Sequence, residues 1–210
     1  MKVTDLSHTI HNHITVFNEA ERPHIEEAAT IENDGYAQLR FSMYTHNSTH
    51  IDAPAHMLKG GKTLTDFLPE KFTGKAFVAD VRNAGKIITK EWLAPYQAKL
   101  EDCDFILINT GWAEKWNSEA YKTGFPVLEP QAAEWLTQFN LKGIGLDTIS
   151  IDPVDSVDVP NHLIVLGDDI LIIENLTGLD KAGEDVFLFS CFPLKIERAD
   201  GSPVRAIAMM

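Results

Sequence analysis

Gln38-Leu-Arg-Phe-Ser-Met-Tyr-Thr45 runs straight into His46-Asn-Ser-Thr-His50-Ile-Asp52-Ala-Pro54-Ala-His56, and this join decides what kind of domain the chain builds. The first half alternates polar and apolar residues, the period of a half-buried strand. The second half cannot continue as a helix, because Pro54 and the Asn-Ser-Thr run oppose one. It places three of the eight histidines within eleven residues, together with Asp52. Imidazole nitrogen and carboxylate oxygen form a mixed donor set that suits zinc, manganese or iron(II). His46 and His50 lie about 13 Å apart in fully extended chain, so modest curling brings both to one ion. Asp52 shares the side-chain parity of His50. Pro54 bends the chain and returns His56 over the same place. Structural zinc sites usually close their shell with thiolates, and this segment has none, so an open, catalytic site is expected.

Outward from that segment, periodicity predicts further strands at 75–81, 104–109, 143–147, 170–174, 186–191 and 203–209. Short helical signals start at Thr89 and at Pro130, the latter running to residue 139 with proline in its first turn. Strands interleaved with a few helices predict an α/β domain with a mixed β-sheet and flanking helices. No repeat, linker or low-complexity tract divides residues 1–210, so one domain is expected.

The chain carries 31 acidic against 18 basic side chains, a net charge of −13. That field repels phosphate backbones and anionic lipid, which excludes nucleic acid and membrane surfaces as partners. The longest apolar runs, at 170–173 and 186–192, are too short to cross a bilayer. The opening Met1-Lys-Val-Thr-Asp5 has an early acid and no apolar run, so no signal peptide is expected. Cys103 and Cys191 sit in apolar runs and read as two buried thiols, consistent with a cytoplasmic protein. His8, His11 and His13 read as loop or pocket-rim residues, and Trp112 and Trp116 as packing side chains, with a pocket-lining role as the alternative.

The segment 46–56 resembles the signature of the cyclase-like metal-dependent hydrolases, the family of bacterial kynurenine formamidases and isatin hydrolases. The likeness extends to Asp5-Leu-Ser-His8-Thr-Ile10 at the start and Ala199-Asp-Gly-Ser-Pro-Val-Arg205-Ala at the end. It implies a swivelling β/β/α-type fold. It also implies that His46, His50 and Asp52 hold a first divalent metal, zinc or manganese. A second ion would be bridged by Asp52 and Glu174, the latter in Glu174-Asn175-Leu176, and completed by His162. His56 would stand outside the shell as general acid and base. The implied reaction is hydrolysis of a small formamide, lactam or cyclic amide by metal-activated water, in a homo-oligomer (dimer or tetramer). Lactone hydrolysis, cyclisation or dehydration on the same metal site, or a non-catalytic binding role, are the competing readings.

The chain departs from the pattern twice. Ser48 stands where the signature has glycine, and the aromatic-Pro-Gly of the N-terminal loop is replaced by Phe17-Asn-Glu19. Phe17 would take the substrate-facing position, with a core-packing role as its alternative.

Overall fold

The computed structural model describes residues 1–210. A nine-stranded mixed sheet forms from β1 (Val3–Asp5), β4 (His50–Asp52), β5 (Thr73–Asp80), β7 (Phe105–Asn109), β9 (Gly143–Leu146), β10 (Leu171–Glu174), β11 (Phe187–Ser190), β12 (Gly201–Pro203) and β13 (Ile207–Met209). The remaining strands make two small sheets, β2 (His24–Ala29) with β3 (Gln38–Ser42), and β6 (Ile87–Ile88) with β8 (Val127–Leu128). In the large sheet the order is β1-β13-β11-β5-β7-β9-β10-β4-β12. The four central strands, β5, β7, β9 and β10, run parallel, and the flanking pairs are antiparallel. Where these parallel strands are buried on both faces they are continuously apolar, as in Ala76–Ala79 of β5 and Phe105–Ile108 of β7.

The two faces of the sheet bury separate cores. On one face Phe77, Ala79, Ile106, Ile108 and Ile144 pack against helix residues Leu93, Leu100, Ala133, Leu136 and Leu166. These come from the short helices α2 (Lys90–Leu93), α3 (Gln97–Asp102), α4 (Pro130–Leu136) and α5 (Pro160–Gly167). On the other face Ala76, Val78, Leu107, Ile173, Phe189 and Ala208 close on one another. The alternation of β5 residues between these cores is the period-two rule at work. β12, at one edge of the sheet, and β13, second from the other edge, are only three residues apart in sequence, so the sheet curls until its ends approach.

Two strand expectations are corrected. Residues 203–209 do not form one strand, because the chain leaves the β4 edge after Pro203 and joins β11 and β1 from Ile207 onward. The segment 38–45 is a strand only to Ser42, and every residue of that strand is exposed rather than half-buried. Its sole partner is β2, in a hairpin whose Leu39 and Phe41 face solvent. The helix from Pro130 ends at Leu136, short of residue 139. Cys103 and Cys191 are free and buried, as expected. No helix is long and apolar enough to cross a membrane.

Candidate metal centre

Each donor reaches the centre by a different structural route. β4 puts His50 and Asp52 on one face, and its antiparallel register with β10 sets Glu174 directly opposite His50. A short 3-10 turn at Pro54–His56, with proline at its start, swings His56 back toward His46, their ring centroids 3.9 Å apart. His162 enters from the first turn of α5. Asp152 fixes that turn, its oxygens accepting the backbone N–H groups of Asn161 and His162 at 3.0 and 2.9 Å.

Asp52 is the hub. Its Oδ1 lies 2.6 Å from His46 Nδ1 and 3.2 Å from His50 Nε2. Its Oδ2 is buried and has no hydrogen-bond partner. A buried carboxylate oxygen left bare costs free energy unless a cation meets it. Glu174 Oε2 lies 3.6 Å from His50 Nε2, and Oε1 lies 3.6 Å from His162 Nε2 while accepting the Ile151 N–H at 2.9 Å. The donors fall into two triads that share Asp52, one with His46 and His56 and the other with His50 and Glu174, each within 4.8 Å.

The far nitrogen of three histidines is held by an acceptor. His50 Nδ1 faces the Ser48 carbonyl at 2.9 Å, His162 Nδ1 faces Asp152 at 2.7 Å, and His46 Nε2 faces Asp200 at 3.0 Å. Such outer contacts fix the tautomer, leaving the other nitrogen free to ligate. The residues therefore fit a divalent cation: an unpaired carboxylate oxygen, converging nitrogens, and outer acceptors already in place.

The electrostatics agree. Burial works against a charged His46, yet Asp52 and Asp200 outweigh it and raise its pKa to about 9. Burial likewise opposes a charged His162, but Asp152 and Glu174 lift it to about 10. Burial pushes the Asp52 carboxyl up, and His50 and His46 overcome that and hold it well below its ordinary value. A centre that stabilises positive charge on imidazoles favours a cation by the same field. His56 differs: burial lowers its pKa, with Asp52 only partly opposing.

These groups open onto a cavity of about 280 Å³ lined also by Val16, Phe17, Tyr44, Met57, Ile149 and Val154. Phe17 is 53% exposed at its wall, which removes the core-packing alternative. His8, expected in a loop or at a pocket rim, lies in a loop that lines a neighbouring cavity, and its ring stacks on Trp116 with ring centroids 4.1 Å apart. Trp112 and Trp116 pack around Tyr121, as expected.

Three residues at the site escaped the sequence reading. Asp152 lies too far ahead of Pro160 to form a capping pattern, and its role shows only once the fold sets it against the first turn of α5. Asn175 stands beside Glu174, and its side chain donates to the Ser48 carbonyl and accepts from Tyr121. Asp200 belongs to the closing motif that carried the resemblance, and nothing local marks it as near His46.

The family model described as "Putative cyclase" matches residues 4–153. The kynurenine formamidase of Bacillus cytotoxicus is 30% identical over 204 residues, which cover 97% of this chain and 95% of that protein. The chain belongs to the cyclase family. A solved structure titled "Potential Metal-Dependent Hydrolase With Cyclase Activity" aligns at TM-score 0.83 and 25% identity, covering 99% of this chain and 96% of that one. Isatin hydrolase A from Labrenzia aggregata shares the fold at TM-score 0.87 and 23% identity, over 100% and 93% of the two chains. This member of the cyclase family is a metal-dependent hydrolase, and its cofactor is a divalent metal.

Proposed function

We propose that the protein hydrolyses the amide-type bond of a small formamide, lactam or cyclic amide. In this reading His46, His50 and Asp52 hold one ion, and Asp52 and Glu174 reach a second that His162 completes. His56 serves as general acid and base. The observation that carries the proposal is Asp52, whose buried, unpartnered Oδ2 sits among converging histidines that themselves line the cavity. Zinc or manganese suits an all nitrogen-and-oxygen donor set. When bound, the ion supplies Lewis acidity and a water acidified to near neutrality.

The chain's own groups supply the rest. Burial keeps His56 neutral near pH 7, the form that accepts a proton. Its ring lies tilted against that of His46 and lines the cavity, so it can take the proton of the attacking water and return it to the leaving nitrogen. Phe17 and Val16 at the wall offer apolar contact to an aromatic amide and restrict water. No lysine or arginine lines the cavity.

Two further features belong to this reading. The solvent-facing Leu39, Phe41, Tyr36 and Tyr44 on and beside the β2–β3 hairpin support a homo-oligomer. The two free thiols support a reducing, cytoplasmic setting. The test is turnover of N-formylkynurenine, isatin and simple lactams by chelated protein reloaded with zinc or manganese. Hydrolysis of at least one upon reloading is expected, and full activity in the chelated, metal-free protein would refute the mechanism.

A further inference from the structure

Ala199-Asp-Gly, on the approach to β12, contributes to the centre in a way the proposed ligand set leaves unexplained. β12 is the edge strand beside β4, and its register sets Gly201 opposite Asp52. The chain here is anchored twice by its backbone, Ala53 N–H donating to the Asp200 carbonyl at 2.8 Å and Leu64 N–H to the Ala199 carbonyl at 2.9 Å. Thr45 Oγ1 donates to Asp200 Oδ1 at 3.1 Å, which fixes the carboxylate plane. The other oxygen, Oδ2, then lies 3.0 Å from His46 Nε2 and 3.6 Å from His56 Nδ1. Gly201 gives the His46 ring its room: a Cβ there would stand 2.5 Å from Cε1 and 2.9 Å from Nε2 of that ring.

We propose that Asp200 and Gly201 form a positioning pair, in which one carboxylate orients both the ligand His46 and the general base His56. The chemistry follows from which nitrogen each ring offers. His46 donates its Nε2–H to Asp200, which commits Nδ1 to Asp52 and the ion. His56 turns its Nδ1 toward the same oxygen, which leaves Nε2 as the acceptor for the proton of water. At 3.6 Å this second contact is an ion-pair distance rather than a formed hydrogen bond, so His56 keeps freedom to pivot. Neither residue touches substrate. Their effect runs through the two imidazoles.

The inference rests on the ligand set and the base assigned above, and its test reads binding apart from chemistry. Zinc affinity is measured by competition with a chelator, without substrate, on wild type, Asp200→Asn, Asp200→Glu and Gly201→Ala, with thermal melts of the metal-free forms as a folding control. Asp200→Asn is expected to weaken zinc binding by about 10–100-fold, the usual range for removing an outer carboxylate from a ligating histidine. At saturating zinc its kcat falls while KM holds, because His56 has lost its orienting group. Asp200→Glu restores part of both, and Gly201→Ala weakens zinc binding by displacing the His46 ring. Proton NMR adds a readout indifferent to general stability, since the downfield His46 Nε2–H resonance is expected to vanish in Asp200→Asn. Wild-type zinc affinity in Asp200→Asn overturns the proposal, and weakened affinity with unchanged kcat at saturation overturns the sharing with His56. A wild type that binds zinc yet hydrolyses no amide refutes the amide-hydrolase reading alone, and leaves the affinity and NMR arms to decide the His46 half.

Discussion

Replacing Ser48 tests how the chain accommodates its departure from the glycine of the family signature. Ser48 is buried and adopts φ 62°, the left-handed region that a Cβ opposes. That conformation costs an L-residue about 1–2 kcal/mol. Its hydroxyl offsets part of the cost by donating to the His8 carbonyl at 3.3 Å. Its own carbonyl cannot move, because His50 Nδ1 and Asn175 Nδ2 both meet it at 2.9 Å. Ser48→Ala keeps the strain and strands a part-buried acceptor, a loss of about 1 kcal/mol. Ser48→Gly recovers the strain but forfeits the same bond, and it loses a further ~0.4–1 kcal/mol through the freer unfolded chain. Those quantities nearly cancel, so the glycine variant should match wild type to within about 0.5 kcal/mol. Urea unfolding with unchanged slope reads both values, and in a melt the alanine variant should fall by about 2–4 °C. A glycine variant weaker than the alanine variant by ~0.4–1 kcal/mol would show that the left-handed backbone at residue 48 carries no cost, and the reasoning would fail.

The remaining predictions concern the centre and its protons. His56→Ala should keep its metal, measured by elemental analysis, while turnover drops about 10²–10⁴-fold, the usual worth of a general acid–base group. His50→Ala should lose both, and retention of metal would remove His50 from the ligand set. Because His46 and His162 have pKa values of about 9 and about 10 in the metal-free protein, both carry protons at pH 7.5. Loading zinc must expel them, so calorimetry in buffers of different ionisation enthalpy should report proton release, and affinity should climb with pH up to that range. The same raised values stabilise the metal-free fold fully below about pH 6.5, and that contribution is lost as pH rises through 9 to 10. His8 works in the opposite sense. Burial lowers its pKa to about 4, so the unfolded chain binds its proton more tightly, and stability should fall as pH drops from about 6.5 toward 4. His8→Phe should flatten that part of the profile in chemical denaturation, and an unchanged profile would count against a neutral, stacked His8.

What the sequence could disclose about this site depended on how far each group travels along the chain. His46, His50, Asp52 and His56 are legible because a strand, a short loop and a proline turn bring them together without help from elsewhere. Glu174 becomes a neighbour of His50 only through the β4–β10 register, and no local pattern encodes which strands pair. Resemblance supplied that residue and His162, whereas Asn175 and Asp200, though inside the matched motifs, were given no role and Asp152 went unnoticed. The omission has a physical basis. Ligands are chemically conspicuous, but the groups that orient them are ordinary acids, amides and carbonyls whose role depends on distance alone. The hairpin shows the converse limit. Alternation from Gln38 onward correctly marked a strand, yet it records only that one side is apolar, and within a single copy nothing covers Leu39 or Phe41. The two cases share one cause, since the segment 46–56 writes its chemistry locally, while orientation and burial are properties of surfaces brought together from distant parts of the chain. Asp200 is thus the sharper test of the fold: 154 residues from His46, it matters to that ring only if the curled sheet places β12 beside β4.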